Sequence, residues 1–140
     1  MSHLDRELLA EKTVVIERHL ARVEERLPSE PDLFQPATDS SDAVILHLWQ
    51  AVQAVIDLAL SACLQLHLGT PRSYADAFER LAQAGYLETD LAARMTRAAG
   101  FRNVVAHTYD RLDMQRIYRA AQQGPADLRA FLVSLRNLIS

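Results

Sequence analysis

The 140-residue chain has one cysteine, four glycines, five prolines and a single lysine. One thiol, Cys63, cannot form an internal disulfide, which points to a reducing, cytoplasmic setting. It sits in the apolar run LALSACLQL, where a thiol behaves as a small hydrophobe. So few glycines and prolines argue against a β-sandwich or a loop-rich fold. The five histidines, His3, His19, His47, His67 and His107, form no H-x3-H spacing, and there is no C-x2-C. No metal site is therefore expected. A P-loop, G-x-G-x-x-G and G-x-S-x-G are all missing, so no cofactor is expected and a Ser-hydrolase elbow is excluded. Nor is there a Gly-Ser followed by paired aspartates, the pattern nucleotidyltransferases use. If nucleotidyl transfer involves this chain, it is the recipient. The start, MSHLDRELLAEK, is charged from residue 5 and lacks the apolar core of a secretion signal.

What is present is apolar residues at 49%, too many for a disordered chain. The length suits one domain, residues 1–140, with a real core. A net charge of −3 argues against coating nucleic acid by bulk positive charge. Local basic surface remains available, because Arg supplies every cation except Lys12. Guanidinium groups suit planar recognition of phosphate or carboxylate.

Hydrophobic periodicity predicts an all-α bundle of five to six helices. Leu4, Leu8, Val15, Ile16, Leu20, Val23 and Leu27 mark a long amphipathic helix over 3–27. PSEPDLFQPATDSSD, 28–42, reads as a loop ending in a cap at Ser40, Ser41 or Asp42. The most apolar segment, 43–68, is long enough to span a membrane. Gln50, Gln53, Asp57, Ser61 and Gln65 nevertheless form one continuous polar stripe along it. That describes the central helix of a bundle or a dimer interface, and no membrane contact is expected. Trp49 and the Gln seam read as packing and dimer contacts. GTPRS, 69–73, is a break in which Gly69 ends the helix and Pro71 blocks its continuation. A helix over 74–84 and a second break over 84–90, with Thr89 or Asp90 as cap, follow. A helix from 90, one from Asp110 to about 123, and a last one from Gly124-Pro125 complete the layout.

Chemistry concentrates in AAGFRNVVAHTYDR, 98–111. Leu91, Met95, Ala98 and Arg102 are spaced 4, 3, 4, which places Arg102 on an apolar helix face. A cation there needs a partner or a cavity, and Asp57 is the candidate partner. Gly100 costs the helix about 1 kcal/mol relative to Ala, which suggests close backbone packing before Arg102. His107 is five residues beyond Arg102, about 140° round and about 7.5 Å along an ideal helix, so the two do not share a face. Asn103 and His107, four apart, can hydrogen-bond. Either the helix ends near Ala106 and turns His107 inward, or a second subunit completes the site. His and Arg together suit metal-free RNA cleavage, the imidazole moving protons and the guanidinium binding phosphate. A phenol among cations, Tyr109, suits nucleotidyl acceptance, because positive neighbours favour the phenolate. The structural alternative is a buried ion pair at Arg102 with His107 and Tyr109 as a polar helix end. Arg111, Arg116 and Arg119 form either a solvated face or an RNA-steering rim.

RNVVAHTY resembles the R-x4-H-x-Y motif of the HEPN superfamily, in particular its HepT-like toxins. The likeness runs from AVQAVIDLAL through LGTPRSYADAFERLAQAGYL to GFRNVVAHTYDRLD, about residues 43–113. The resemblance implies a homodimeric helical bundle with the two motifs facing a shared cleft. It implies a metal-independent endoribonuclease toxin with Arg102 and His107 as catalytic pair and RNA as substrate. It also implies Tyr109 as acceptor of AMP from a partner nucleotidyltransferase antitoxin of the MNT type. Asn103 and Asp57 are supporting residues, Asp57 anchoring Arg102. The other reading is a non-catalytic HEPN-like dimer that binds a protein or a nucleotide.

Overall fold

In the computed structural model, which describes residues 4–139, five α-helices and two single 3-10 turns follow one another. The helices are α1 (Arg6–Arg26), α2 (Asp39–Gln65), α3 (Tyr74–Gln83), α4 (Thr89–Thr108) and α5 (Met114–Arg136). Pro31–Leu33 and Tyr109–Arg111 form the 3-10 turns, and no strand occurs among the described residues. His3, where the first helix was expected to begin, lies outside the described residues.

The most apolar helix is the axis of the assembly. Every other helix packs against α2, and Val44, Leu48, Val55, Ile56, Ala59 and Cys63 disappear into the shared core. α2 is long and apolar enough to cross a membrane, yet most of its apolar side chains are covered by neighbouring helices. The Cys63 thiol is buried against the Ala77 carbonyl, and burial raises its pKa. That makes it an inert packing group.

Helix ends follow local hydrogen bonding more than composition. Asp5 caps α1 by accepting from the Glu7 and Leu8 amides. Thr38, one turn earlier than expected, caps α2, and Ser41 completes a capping box with it. Ser40, Ser41 and Asp42 are thus inside the helix. At the other end α2 stops at Gln65, before Gly69. His67 takes a left-handed conformation (φ 58°), and the Leu68 amide bonds back to Cys63 O at 2.8 Å. This is a Schellman stop without glycine. Gly69 (φ 88°) serves another purpose: a Cβ there would lie 2.9 Å from the Arg80 guanidinium, which donates to Leu68 O. α4 begins at Thr89 after Glu88, so neither Thr89 nor Asp90 is the cap. Asp113, and not Asp110, caps α5 by accepting from the Gln115 and Arg116 amides.

The largest departure from the sequence reading is in the last segment. Gly124-Pro125 starts no new helix; α5 runs straight through it. Proline in a helix interior costs about 3 kcal/mol, which packing must offset. Ile117, Ala121, Pro125, Leu128, Phe131, Leu132 and Leu135 form one buried stripe across the join. Gly124 also lets the helix approach α2, since a Cβ there would meet Leu48 Cδ1 at 3.4 Å. Arg129 then ties α5 to α1, with Nε 2.8 Å from Glu17 and Nη1 and Nη2 within 2.9 Å of Glu24.

α1 and α2 also share a histidine pair, with His19 Nδ1 and His47 Nδ1 2.9 Å apart. Both imidazoles have lowered pKa values. Burial is the main cause, followed by His47 and Arg18 for His19, and by Arg26 and Arg22 for His47. The unfolded chain therefore binds protons first as pH falls. The pair's contribution to stability is complete above about pH 6.5, the ordinary imidazole value, and is lost below it. The denaturation midpoint is expected to drop from pH 7 to pH 5, and a His19→Gln/His47→Gln double variant should flatten that slope. An unchanged slope in the variant would assign the acid sensitivity to other groups.

Candidate active site

Arg102 emerges from α4 (Thr89–Thr108) within about two turns of its end and points toward α2. Its Nε donates to Gln53 Oε1 at 2.7 Å, and Nη1 donates to Asn103 Oδ1 at 3.2 Å. The guanidinium lies 5.2 Å from the Trp49 ring centroid and 5.6 Å from that of Tyr74. The Trp49 indole N–H donates to the carbonyl of Arg102 itself, at 3.2 Å. Two aromatic faces and two amide oxygens thus hold the cation in place.

Asp57 does not pair with Arg102 directly, contrary to the sequence expectation. Gln53 stands between them, donating from Nε2 to Asp57 Oδ1 at 3.1 Å, and the other Asp57 oxygen lies 3.8 Å from Lys12 Nζ. One helical turn separates Gln53 from Asp57 on α2. A carboxylate at 57 reaches the lysine of α1 and leaves the guanidinium to the amide. The physical consequence is large: Arg102 is half-buried, oriented and not neutralised. No carboxylate contacts it among the described residues, and its Nη2 has no protein partner there.

α4 continues without interruption to Thr108, so it does not end near Ala106. His107 therefore stays on the helix, exposed, and does not turn in toward Arg102. It makes no hydrogen bond or ion pair among the described residues. The Asn103–His107 bond does not form either, because Asn103 Oδ1 accepts from Arg102. Of the two arrangements open from sequence, the one in which α4 ends near Ala106 and turns His107 inward is not adopted.

Gly100 is not a close-packing glycine. A Cβ there would meet nothing within 4 Å. It borders a cleft of about 380 Å³ lined by Ser73, Tyr74, Thr96 and Asn103. The cleft adjoins the Arg102 seat through Tyr74 and Asn103. A larger cavity of about 700 Å³ between α1 and α5, lined by Leu9, Thr13 and Arg136 among others, includes no motif residue.

Tyr109 opens the 3-10 turn that follows α4 and is 51% exposed. Its hydroxyl donates to Asp42 Oδ1 at 2.8 Å, across 67 residues of sequence. Burial, then the hydrogen bond and charge of Asp42, raise the phenol's pKa. The sequence expectation of a phenolate favoured by cations is thus reversed: the neighbour is an anion, and the phenol stays protonated. Arg111, Arg116 and Arg119 are all exposed.

Trp49, Gln53, Tyr74 and Asp42 were not singled out as site residues by sequence. Trp49 and Gln53 carried a usable signal, being four apart on α2 and so on one face. Tyr74 and Asp42 carried none, since only the tertiary fold brings them to the motif.

Residues 16–135 match the family described as ribonuclease HepT-like. The chain is 27% identical over 126 residues to the mRNA nuclease HepT of Shewanella oneidensis, covering 90% of this chain and 94% of that one. The structure resembles the tri-AMPylated HEPN toxin of Shewanella oneidensis solved in complex with an MNT antitoxin. The TM-score is 0.85 at 26% identity, over 95% of this chain and 99% of that one. The cytosolic protein YutE of Bacillus subtilis, of unknown function, shares the fold at a TM-score of 0.77 and 18% identity, over 98% and 92% of the two chains.

Proposed function

This chain belongs to the ribonuclease HepT-like family, and on that premise we propose that it is the toxin of a toxin–antitoxin pair, an endoribonuclease that uses Arg102 and His107. The observation that carries the reading is the Arg102 seat. A guanidinium fixed by Gln53, Asn103, Trp49 and Tyr74, with no carboxylate on it, keeps its charge for a phosphate. The relative in Shewanella oneidensis is named an mRNA nuclease, so messenger RNA is the substrate class.

The chemistry follows from the two side chains. Arg102 binds a non-bridging oxygen of the scissile phosphate and stabilises the charge that grows there. An imidazole removes the 2′-OH proton as that oxygen attacks phosphorus, and another imidazole protonates the departing 5′-oxygen. One exposed His107 per chain serves poorly as base and acid in the same step. A homodimer supplies two, and a shared cleft lets each chain contribute His107 and Arg102. The products are then a 2′,3′-cyclic phosphate and a 5′-hydroxyl, formed without a metal ion in the cytoplasm.

Neutralisation runs through Tyr109. The Shewanella toxin is tri-AMPylated in complex with its MNT antitoxin, and Tyr109 here is the exposed phenol two residues from His107. AMP on its oxygen adds a bulky anion beside the imidazole and repels RNA.

The purified chain is expected to cut RNA at an undiminished rate in excess EDTA, leaving 3′ ends that resist phosphatase until the cyclic phosphate is opened, and 5′-hydroxyls that accept phosphate from a polynucleotide kinase. Cleavage that stops in EDTA and returns with a divalent cation would overturn the metal-free mechanism.

A further inference from the structure

We propose that Asp42 is the general base for nucleotidyl transfer onto Tyr109, so that the acceptor chain carries the base for its own modification. The inference rests on the reading of Tyr109 as the AMP acceptor and deepens it. Three observations support it. The phenol hydroxyl donates directly to Asp42 Oδ1 at 2.8 Å, within the reach a general base requires. The carboxylate is held on a firm frame, the first turn of α2, whose end is fixed by the Thr38–Ser41 capping box. It forms no ion pair with any cation among the described residues, so its charge is not otherwise engaged.

The chemistry needs such a group. A neutral phenol is a weak nucleophile, and burial together with Asp42 holds this one protonated. In the transfer, Tyr109 Oη attacks the α-phosphorus of a nucleoside triphosphate carried by the partner enzyme. The new O–P bond forms, the bond to pyrophosphate breaks, and pyrophosphate leaves with its electron pair. The phenolic proton passes to Asp42 and then to water. Asp39 on the same turn of α2, and His107, Asp110 and Arg111 around Tyr109, are the neighbouring titratable or charged groups. None of them is hydrogen-bonded or ion-paired to the phenol or to the Asp42 carboxylate. Once the phenol oxygen is esterified, any further nucleotide is attached elsewhere, so Asp42 acts on the first addition alone.

The test incubates the full chain with its partner nucleotidyltransferase and ATP and follows intact mass over time, comparing wild type with Asp42→Asn and Asp42→Glu. Asparagine keeps an acceptor oxygen for the phenol and cannot take a proton. Asp42→Asn is expected to slow the first addition by about 10²-fold at pH 7, with the deficit shrinking as pH rises toward the phenol's own ionisation. Asp42→Glu should recover most of the rate. RNA cleavage by unmodified Asp42→Asn should match wild type, which also reports that the variant is folded. Wild-type modification on Tyr109 with an Asp42→Asn rate equal or faster at pH 7 would overturn the role of Asp42 alone. A faster rate is what losing a carboxylate that merely keeps the phenol protonated would produce. A wild-type chain that takes no AMP on Tyr109 would overturn the acceptor reading, and this inference with it.

Discussion

His107→Ala and Arg102→Ala are each expected to lower RNA cleavage by at least about 10²-fold, the size of a positioned acid–base or charge-stabilising group. The two losses have different origins. His107 is exposed and its side chain makes no hydrogen bond or ion pair among the described residues, so its removal takes away the proposed proton transfer and should leave the fold as it is. Arg102 sits among Gln53, Asn103, Trp49 and Tyr74, and alanine removes both the charge proposed to bind phosphate and that packing. Arg102→Lys separates them. A lysine restores charge without the planar fork that bonds Gln53 and stacks on the rings, and its activity should stay well below wild type. Initial rates on a defined RNA, beside thermal denaturation of each variant, check this. Wild-type rates in both alanine variants would remove these two residues from the mechanism.

Tyr109→Phe should leave cleavage intact and abolish the mass gain produced by the nucleotidyltransferase with ATP. The change deletes one hydroxyl and its bond to Asp42. That bond is exposed, so the expected stability cost is at most about 1 kcal/mol. In cells the effect is far larger than the chemistry suggests, because a toxin that cannot be modified is not neutralised by modification. Co-expression with the antitoxin should rescue growth for wild type and fail for Tyr109→Phe. Rescue of both would mean that complex formation, or a different acceptor, does the neutralising.

The helical layout was legible because its signal is local. Apolar spacing marked α1, α2 and α3 to within a few residues, and it placed Arg102 on the inward face of α4. What it could not give was competition between distant groups. Pro125 reads locally as a break, yet the stripe from Ile117 to Leu135 holds α5 together across it. Asp57, the lone charge of the central apolar segment, reads as the candidate partner of Arg102. The fold offers it Lys12 from α1, and the shorter path from Arg102 ends at Gln53. Asp42 is 67 residues from Tyr109, and no periodicity within one helix could connect them. The relation between Arg102 and His107 was legible as a mismatch, and the uninterrupted α4 keeps that mismatch within one chain.

The amide at position 53 works as an insulator between a carboxylate and a cation. Glutamine and glutamate codons differ by one nucleotide, and Gln53→Glu would set an anion on the guanidinium where Gln53 Oε1 now stands at 2.7 Å. On the proposed mechanism, a charge-neutralised, silent toxin is thus a single mutational step from the active one, with the R-x4-H-x-Y motif untouched. In a population under selection to escape the toxin, inactivating changes are then expected in α2 as well as in the motif.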